Sequence, residues 1–277
     1  MWEQLLSRGG AMIAVRPAAV AGMFYPDDPR QLAHVVDDYI RHGKVLDLPA
    51  ACPKAIVVPH AGYVYSGAIA GSAFATLAPW AKRIERVVVV GPAHRVWVEG
   101  LVSPGARAMA TPLGELPIDV EALASVPQVH ADVAAHAEEH SVEVELPFIQ
   151  RVLPHARVVP IVAGEADPEE VGRVLEALYG GPETLIVISS DLSHYLPYDS
   201  ACAIDEETIK RLLTLEPEAI DHDRACGATG LRGLLWLARR KHLEPQLLDL
   251  RNSGDTAGDR RRVVGYAALG FYERGIA

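Results

Sequence analysis

Lys54-Ala55-Ile56-Val57-Val58-Pro59 runs apolar from Ala55 into His60, and the pattern recurs twice. Arg86-Val87-Val88-Val89-Val90-Gly91-Pro92-Ala93 leads to His94, and Leu185-Ile186-Val187-Ile188-Ser189-Ser190 leads to Asp191, with His194 three residues on. Runs of β-branched residues with no polar alternation are strands covered on both faces, as in a parallel sheet between helical layers. In such a sheet the carboxyl ends of the strands open into one crevice, where ligands bind. Neutral imidazole is the commonest metal ligand and an acid or base near neutral pH. Several such groups delivered to one sheet edge describe a metal or acid–base site.

Outward from these strands the chain alternates. Asp28-Pro29 starts a helix with proline at the favoured first position, and its apolar face holds Leu32, Val35, Val36 and Ile40. Ser66 is expected to cap a small-residue helix reaching about Leu77, whose Gly67, Ala70, Gly71 and Ala75 allow close packing on the sheet. Residues 99–118, rich in Gly and Pro, read as a β-ribbon or active-site loop, followed by a short helix near 119–125 and a polar, His-rich loop. The segment 141–153 reads as a helix interrupted by Pro147. Strand 157–162, helix 168–178 and strand 184–189 form a further β-α-β unit. Helices near 204–214, 216–222 and 228–241 lead to closing strands at 245–252 and 263–272. The expected fold is α/β, a three-layer α/β/α sandwich with a mostly parallel central sheet. With no repeat or Ser/Gly linker, residues 1–277 read as a single domain. Met12 is a second candidate start, so residues 1–11 are expected to be a loosely ordered extension.

Composition narrows the classes. The net charge of −10 argues against a nucleic-acid footprint, which needs a concentrated basic face. The dense basic run Arg260-Arg261-Arg262 is short, follows Asp255 and Asp259, and reads as a solvated turn. Cys52, Cys202 and Cys226 form no CxxC and no even framework, which fits a reducing cytoplasm. No apolar run reaches membrane-span length and no signal-peptide core is present. The phosphate loop GxxxxGK[ST], the dinucleotide fingerprint GxGxxG and the nucleophile elbow GxSxG are all missing from the sequence.

The candidate site residues each have a bland alternative. His60, in Pro59-His60-Ala61-Gly62-Tyr63, and His94, in Gly91-Pro92-Ala93-His94, are either strand-end histidines bonded to backbone or members of one crevice. Two of them on two strand ends favour the crevice. Asp191 either caps a short helix or orients His194 as an acid–base pair. Glu138-Glu139-His140 is either a solvated loop or the edge of the site. A carboxylate turned inward at Glu143 or Glu145 would support a ligand histidine. Cys226, ahead of an apolar helix, is either a thiolate with lowered pKa or a small buried hydrophobe. Spacing alone does not choose.

Six motifs in order give the chain a resemblance to the MEMO-like proteins, including component B of the AmmeMemoRadiSam system. They are Arg16-Pro17-Ala18-Ala19-Val20-Ala21-Gly22-Met23-Phe24-Tyr25-Pro26, Pro59-His60-Ala61-Gly62-Tyr63-Val64-Tyr65-Ser66-Gly67, Gly91-Pro92-Ala93-His94, Glu139-His140-Ser141-Val142-Glu143, Ser189-Ser190-Asp191-Leu192-Ser193-His194 and Cys226-Gly227. The resemblance spans residues 16 to about 272. It implies a fold similar to class III extradiol dioxygenases, which bind non-haem iron through two histidines and a carboxylate. By that resemblance His60 and His94 are the histidine ligands and Cys226 stands where the dioxygenases have glutamate. His194 is then the acid–base histidine, with Asp191 beside it and Asp191 or His140 orienting the reacting groups. The resemblance implies iron or copper, with zinc a further candidate because a thiolate is a softer ligand than a carboxylate. The implied activity is that of a metal-dependent redox protein. The alternatives are a peptide- or protein-binding module using the same cleft, and a metal-assisted hydrolase. The other components of the AmmeMemoRadiSam system are candidate partners.

Overall fold

In a computed structural model the described residues are 13–44 and 51–274; the expected extension at 1–11 lies outside them. Twelve strands are defined there: β1 (Ile13–Arg16), β2 (Ala55–Val58), β3 (Arg86–Pro92), β4 (Leu101–Ser103), β5 (Ala106–Thr111), β6 (Gly114–Pro117), β7 (Val129–Ala131), β8 (Arg157–Ala163), β9 (Thr184–Ser189), β10 (His194–Leu196), β11 (Leu243–Asn252) and β12 (Val263–Glu273). The α-helices are α1 (Pro29–Arg41), α2 (Tyr63–Ala75), α3 (Val120–Ala124), α4 (Val133–Ala137), α5 (Leu146–Val152), α6 (Pro168–Ala177), α7 (Tyr198–Leu213), α8 (Ala228–Lys241) and α9 (Ser253–Thr256). Among the described residues no helix is long and apolar enough to cross a membrane.

The unalternating runs are β2, β9, β3 and β8, and they lie side by side in that order, all parallel. They form the centre of a nine-stranded sheet ordered β10-β12-β2-β9-β3-β8-β4-β7, with β11 added beside β12. The flanks are antiparallel at β10-β12, β12-β2, β11-β12 and β4-β8. The sheet is therefore parallel at its centre and mixed overall. A small second sheet, β1-β5-β6, comes largely from the Gly- and Pro-rich stretch.

Both faces of the central strands are dry. Ile56, Val58, Val87, Val89, Leu185 and Val187 pack in one core with Leu32 and Val36 of α1, Ile69 and Phe74 of α2, and Phe148 of α5. Their neighbours in sequence, Ala55, Val57, Val88, Val90, Ile186 and Ile188, pack in a second core with Val171 and Leu175 of α6 and Leu231, Leu234 and Leu235 of α8. Each fully buried Val, Leu or Ile contributes roughly 1.5–3 kcal/mol. Polar alternation would therefore leave polar groups unpaired in one core or the other.

Several helices differ from the sequence reading, and the one expected at 216–222 is only a 3-10 turn at Pro217–Ala219. α2 begins at Tyr63 after Gly62, and Ser66 Oγ donates to Ala61 O instead of capping. Its Gly67 and Gly71 face α1: a Cβ there would meet Tyr39 at 2.4 Å in each case, so they admit a neighbouring helix and not the sheet. Pro147 does not interrupt a helix. A 3-10 turn at Glu143–Glu145 ends there, and Pro147 sits in the first turn of α5, where a missing N–H costs nothing. α7 starts at Tyr198, earlier than expected.

Candidate metal centre

The central strands end at the site. β2 delivers His60, β3 delivers His94, and β9 delivers Ser189 and Asp191. The segment between α4 and α5 adds Glu139 and His140. One ring nitrogen from each of His60, His94 and His140 lies within 4.8 Å of the others, the spacing of groups that can share one ion. The rings lie 5.1 Å (His60–His94), 5.4 Å (His60–His140) and 4.6 Å (His94–His140) apart by centroid.

Each imidazole is held from behind. His60 Nδ1 is 2.7 Å from Ser189 Oγ, and the His60 backbone N–H donates to Asp191 Oδ1 at 2.8 Å. His94 Nδ1 bonds Glu139 Oε1 at 3.0 Å. Engagement of Nδ1 leaves Nε2 as the nitrogen of each ring that could serve a metal. Glu139 also accepts the backbone N–H of His94 at 2.5 Å and those of His140 and Ser141 at 2.9 Å. Burial opposes its ionisation, but the His94 ring and these N–H groups outweigh it and hold Glu139 well below the usual carboxylate range. His140 Nδ1 is buried without an aligned hydrogen bond, 3.3 Å from Glu139 Oε1.

A buried clamp fixes the loop that carries Glu139 and His140. Arg16 donates from Nη2 to Glu139 O at 2.6 Å and to His136 O at 2.7 Å, and it ion-pairs with Glu143. Glu143 also accepts Tyr25 Oη–H at 2.6 Å and the N–H groups of Ala19 and Val20. Of the two carboxylates considered for an inward role, Glu143 serves this clamp, and Glu145 reaches Ser189 at 3.0 Å. The Arg16-to-Tyr25 motif is thus a brace for the cluster.

Protonation states suit metal binding. Burial, reinforced by the neighbouring His94, pushes His60 down, and burial lowers His140 to about 4. Burial also lowers His194. These rings are neutral near pH 7, the form that donates to a metal. Burial raises Asp191 to about 7, against the pull of the His60 N–H.

Cys226 stands outside the three-histidine group but touches it, with Sγ 3.3 Å from His60 Nε2 and accepting the Asp191 N–H at 3.3 Å. The ligand set expected from the sequence and the set brought within 4.8 Å share His60 and His94 and differ in the third member. The lowered thiol pKa expected from the helix terminus does not hold. Burial, then the Asp191 carboxylate, push the thiol far above its ordinary value. Cys226 also precedes the cap residue Gly227, and the dipole effect fades beyond the first turn.

His60, His94, His140, Asp191 and His194 line a cleft of about 640 Å³. Its aromatic walls are Phe24, Tyr65, Tyr195 and Tyr266, and Arg95 and Arg262 also line it. Tyr195 holds a left-handed φ of 58°, a conformation that costs a side-chain-bearing residue energy and clusters at functional sites. Sequence reasoning passed over Ser189 and left Glu139 as a possible solvated loop. The available signal was Glu139 directly preceding His140.

The comparisons with known proteins agree with this architecture. A family model described as "Memo-like protein" matches residues 16–270. A MEMO1 family protein of Aquifex aeolicus is 35% identical over 277 residues, covering 93% of this chain and 99% of its own. Relatives with the same description in Ignicoccus hospitalis and Desulfurococcus amylolyticus are 34% and 33% identical, again across 93% of this chain and 98–99% of theirs.

Proposed function

The chain belongs to the Memo-like family, and from that premise we propose that it is a metal-binding redox protein, with iron or copper held in the cleft by His60 and His94. His140 and Cys226 flank the third ligand position. The observation that carries this reading is the cluster of three imidazoles within 4.8 Å, two of them fixed through Nδ1 by Ser189 and Glu139. Carboxylate or hydroxyl support behind a ligand imidazole orients the ring and raises its basicity.

A bound iron or copper ion would supply Lewis acidity and one-electron chemistry. The chain's own residues would do the rest. His194, neutral and at the cleft wall, would take a proton from an enolic or phenolic hydroxyl. Asp191, bonded to the His60 backbone, would keep that strand end and His194 in register. Phe24, Tyr65, Tyr195 and Tyr266 would hold an apolar body and exclude water.

The test is anaerobic purification with elemental analysis, followed by oxygen uptake with small diols and enols. Iron or copper near one per chain, lost in His60→Ala and His94→Ala with the fold intact by circular dichroism, supports the reading. Full metal retention in both variants refutes it. Zinc alone, with no oxygen uptake, would favour metal-assisted hydrolysis, since zinc carries no electrons. A second reading, capture of a peptide or partner protein, draws on exposed apolar side chains at and beside the cleft: Met23 at 71%, Val64 at 61% and Tyr195 at 63% exposure. Tight peptide binding by metal-free protein without turnover would support it.

A further inference from the structure

Ser189 Oγ has three close polar neighbours: Ser141 O at 2.6 Å, His60 Nδ1 at 2.7 Å and Glu145 Oε1 at 3.0 Å. A hydroxyl brings one hydrogen and two lone pairs. Ser141 O is a backbone carbonyl and can only accept. At 2.6 Å it must take the hydroxyl hydrogen, since two bare oxygens at that distance repel. The other two neighbours must then donate to Ser189. His60 does so through Nδ1–H. Glu145 can do so only as a carboxylic acid.

The surroundings of Glu145 agree independently. Its side chain is fully buried, and Oε2 has no hydrogen-bond partner. Among the described residues no cation pairs with it. An ionised carboxylate would bury a charge with one oxygen unpaired, whereas a neutral acid leaves only a carbonyl oxygen there. Burial, with the neighbouring Asp191, pushes its pKa well above the usual carboxylate range.

We infer that Glu145 is a neutral carboxylic acid that acts through Ser189 as a positioning residue, fixing the Nδ1–H tautomer of His60 and leaving the Nε2 lone pair available. The description of His60 as a ligand rests on the function proposed above; the protonation of Glu145 and the tautomer do not.

The test uses the full chain, metal-free and then titrated with Co²⁺. Infrared difference spectra between the unaltered protein and Glu145→Gln should show loss of a protonated-acid carbonyl band. Loss of a carboxylate band instead overturns the assignment. Nitrogen chemical shifts of labelled His60 should report Nδ1–H in the unaltered protein and in Glu145→Gln, whose amide N–H can replace the acid donor. Ser189→Ala should lose that single tautomer and bind Co²⁺ about 10–100-fold more weakly. Unchanged His60 signals and Co²⁺ affinity in Ser189→Ala would overturn the positioning role. So would loss of the tautomer in folded Glu145→Gln. If the unaltered protein binds no Co²⁺, the metal reading fails, while the infrared and ring signals still decide this one.

Discussion

Replacing Glu139 by glutamine is the sharpest test of how the cluster is held. A carboxylate offers only acceptors, and the four hydrogen bonds of the Glu139 carboxylate come from N–H or ring donors: His94 Nδ1, His140 N and Ser141 N on Oε1, and His94 N on Oε2. A glutamine must turn an NH₂ group toward one side. Its better orientation keeps oxygen at the Oε1 position and sets NH₂ against the His94 backbone N–H, donor against donor. One buried N–H is then unpaired, and the remaining bonds lose charge assistance. The expected loss is about 2–3 kcal/mol of stability. For a chain of this size that corresponds to a fall in Tm of roughly 4–12 °C. The His94 ring loses its charged anchor, so metal affinity should fall about 10–100-fold. Glu169→Gln is the matched control, because Glu169 pairs with Arg173 on the exposed surface of α6 and should shift stability by no more than ~0.5 kcal/mol. Differential scanning calorimetry and metal titration on both variants decide the matter. A fall in Tm for Glu139→Gln no greater than that of the control, with metal affinity unchanged, would refute the argument.

His136 is fully buried, bonds Val102 O through Nε2, and is lowered by burial to about 4. Between about pH 6.5 and 4 the unfolded chain holds a proton there that the folded chain does not, so stability falls with falling pH by up to ~1.4 kcal/mol per unit. Denaturant melts of His136→Gln across that window should show a correspondingly shallower slope, unless the folded ring already titrates near 6.5. In Gly91→Ala the new Cβ meets Ser141 Oγ at 2.5 Å, displacing the residue between His140 and Ser189. A loss of ~1–3 kcal/mol and weaker metal binding are expected, and a neutral result would mean the strand end is softer than the packing implies. Alkylation at neutral pH, read by peptide mass, should label Cys202 before Cys226, because burial holds the Cys226 thiol protonated; the reverse order would restore the thiolate.

The central sheet was legible because its strands are buried on both faces, which writes itself as unbroken Val and Ile in β2, β3 and β9. Their carboxyl ends point to His60, His94 and Asp191 from the sequence alone. The flanks were not legible. β10 is three residues long and pairs only with β12, so it carries no periodic signal of its own. Helix starts were misread where small residues served a neighbouring helix, as Gly67 and Gly71 do for Tyr39. The supporting groups were hardest. Glu139, Ser189 and Glu145 owe their roles to partners 44 to 129 positions away, which no local pattern records.

The brace around Glu143 bears on the order in which the molecule assembles. Arg16 closes a contact across 127 positions of chain, and Cys226 meets His60 across 166. Contacts of such sequence separation form late, after the intervening loops have been closed. The pairing of β2 with β9 spans a similar separation, so the donors of this centre converge together with the sheet. An ion taken there would enter a finished protein, in contrast to small zinc domains whose folding the metal drives. Delivery, not nucleation, would be the step a cell has to manage, and a chain freed of metal should keep its fold and wait, loadable, for the next ion.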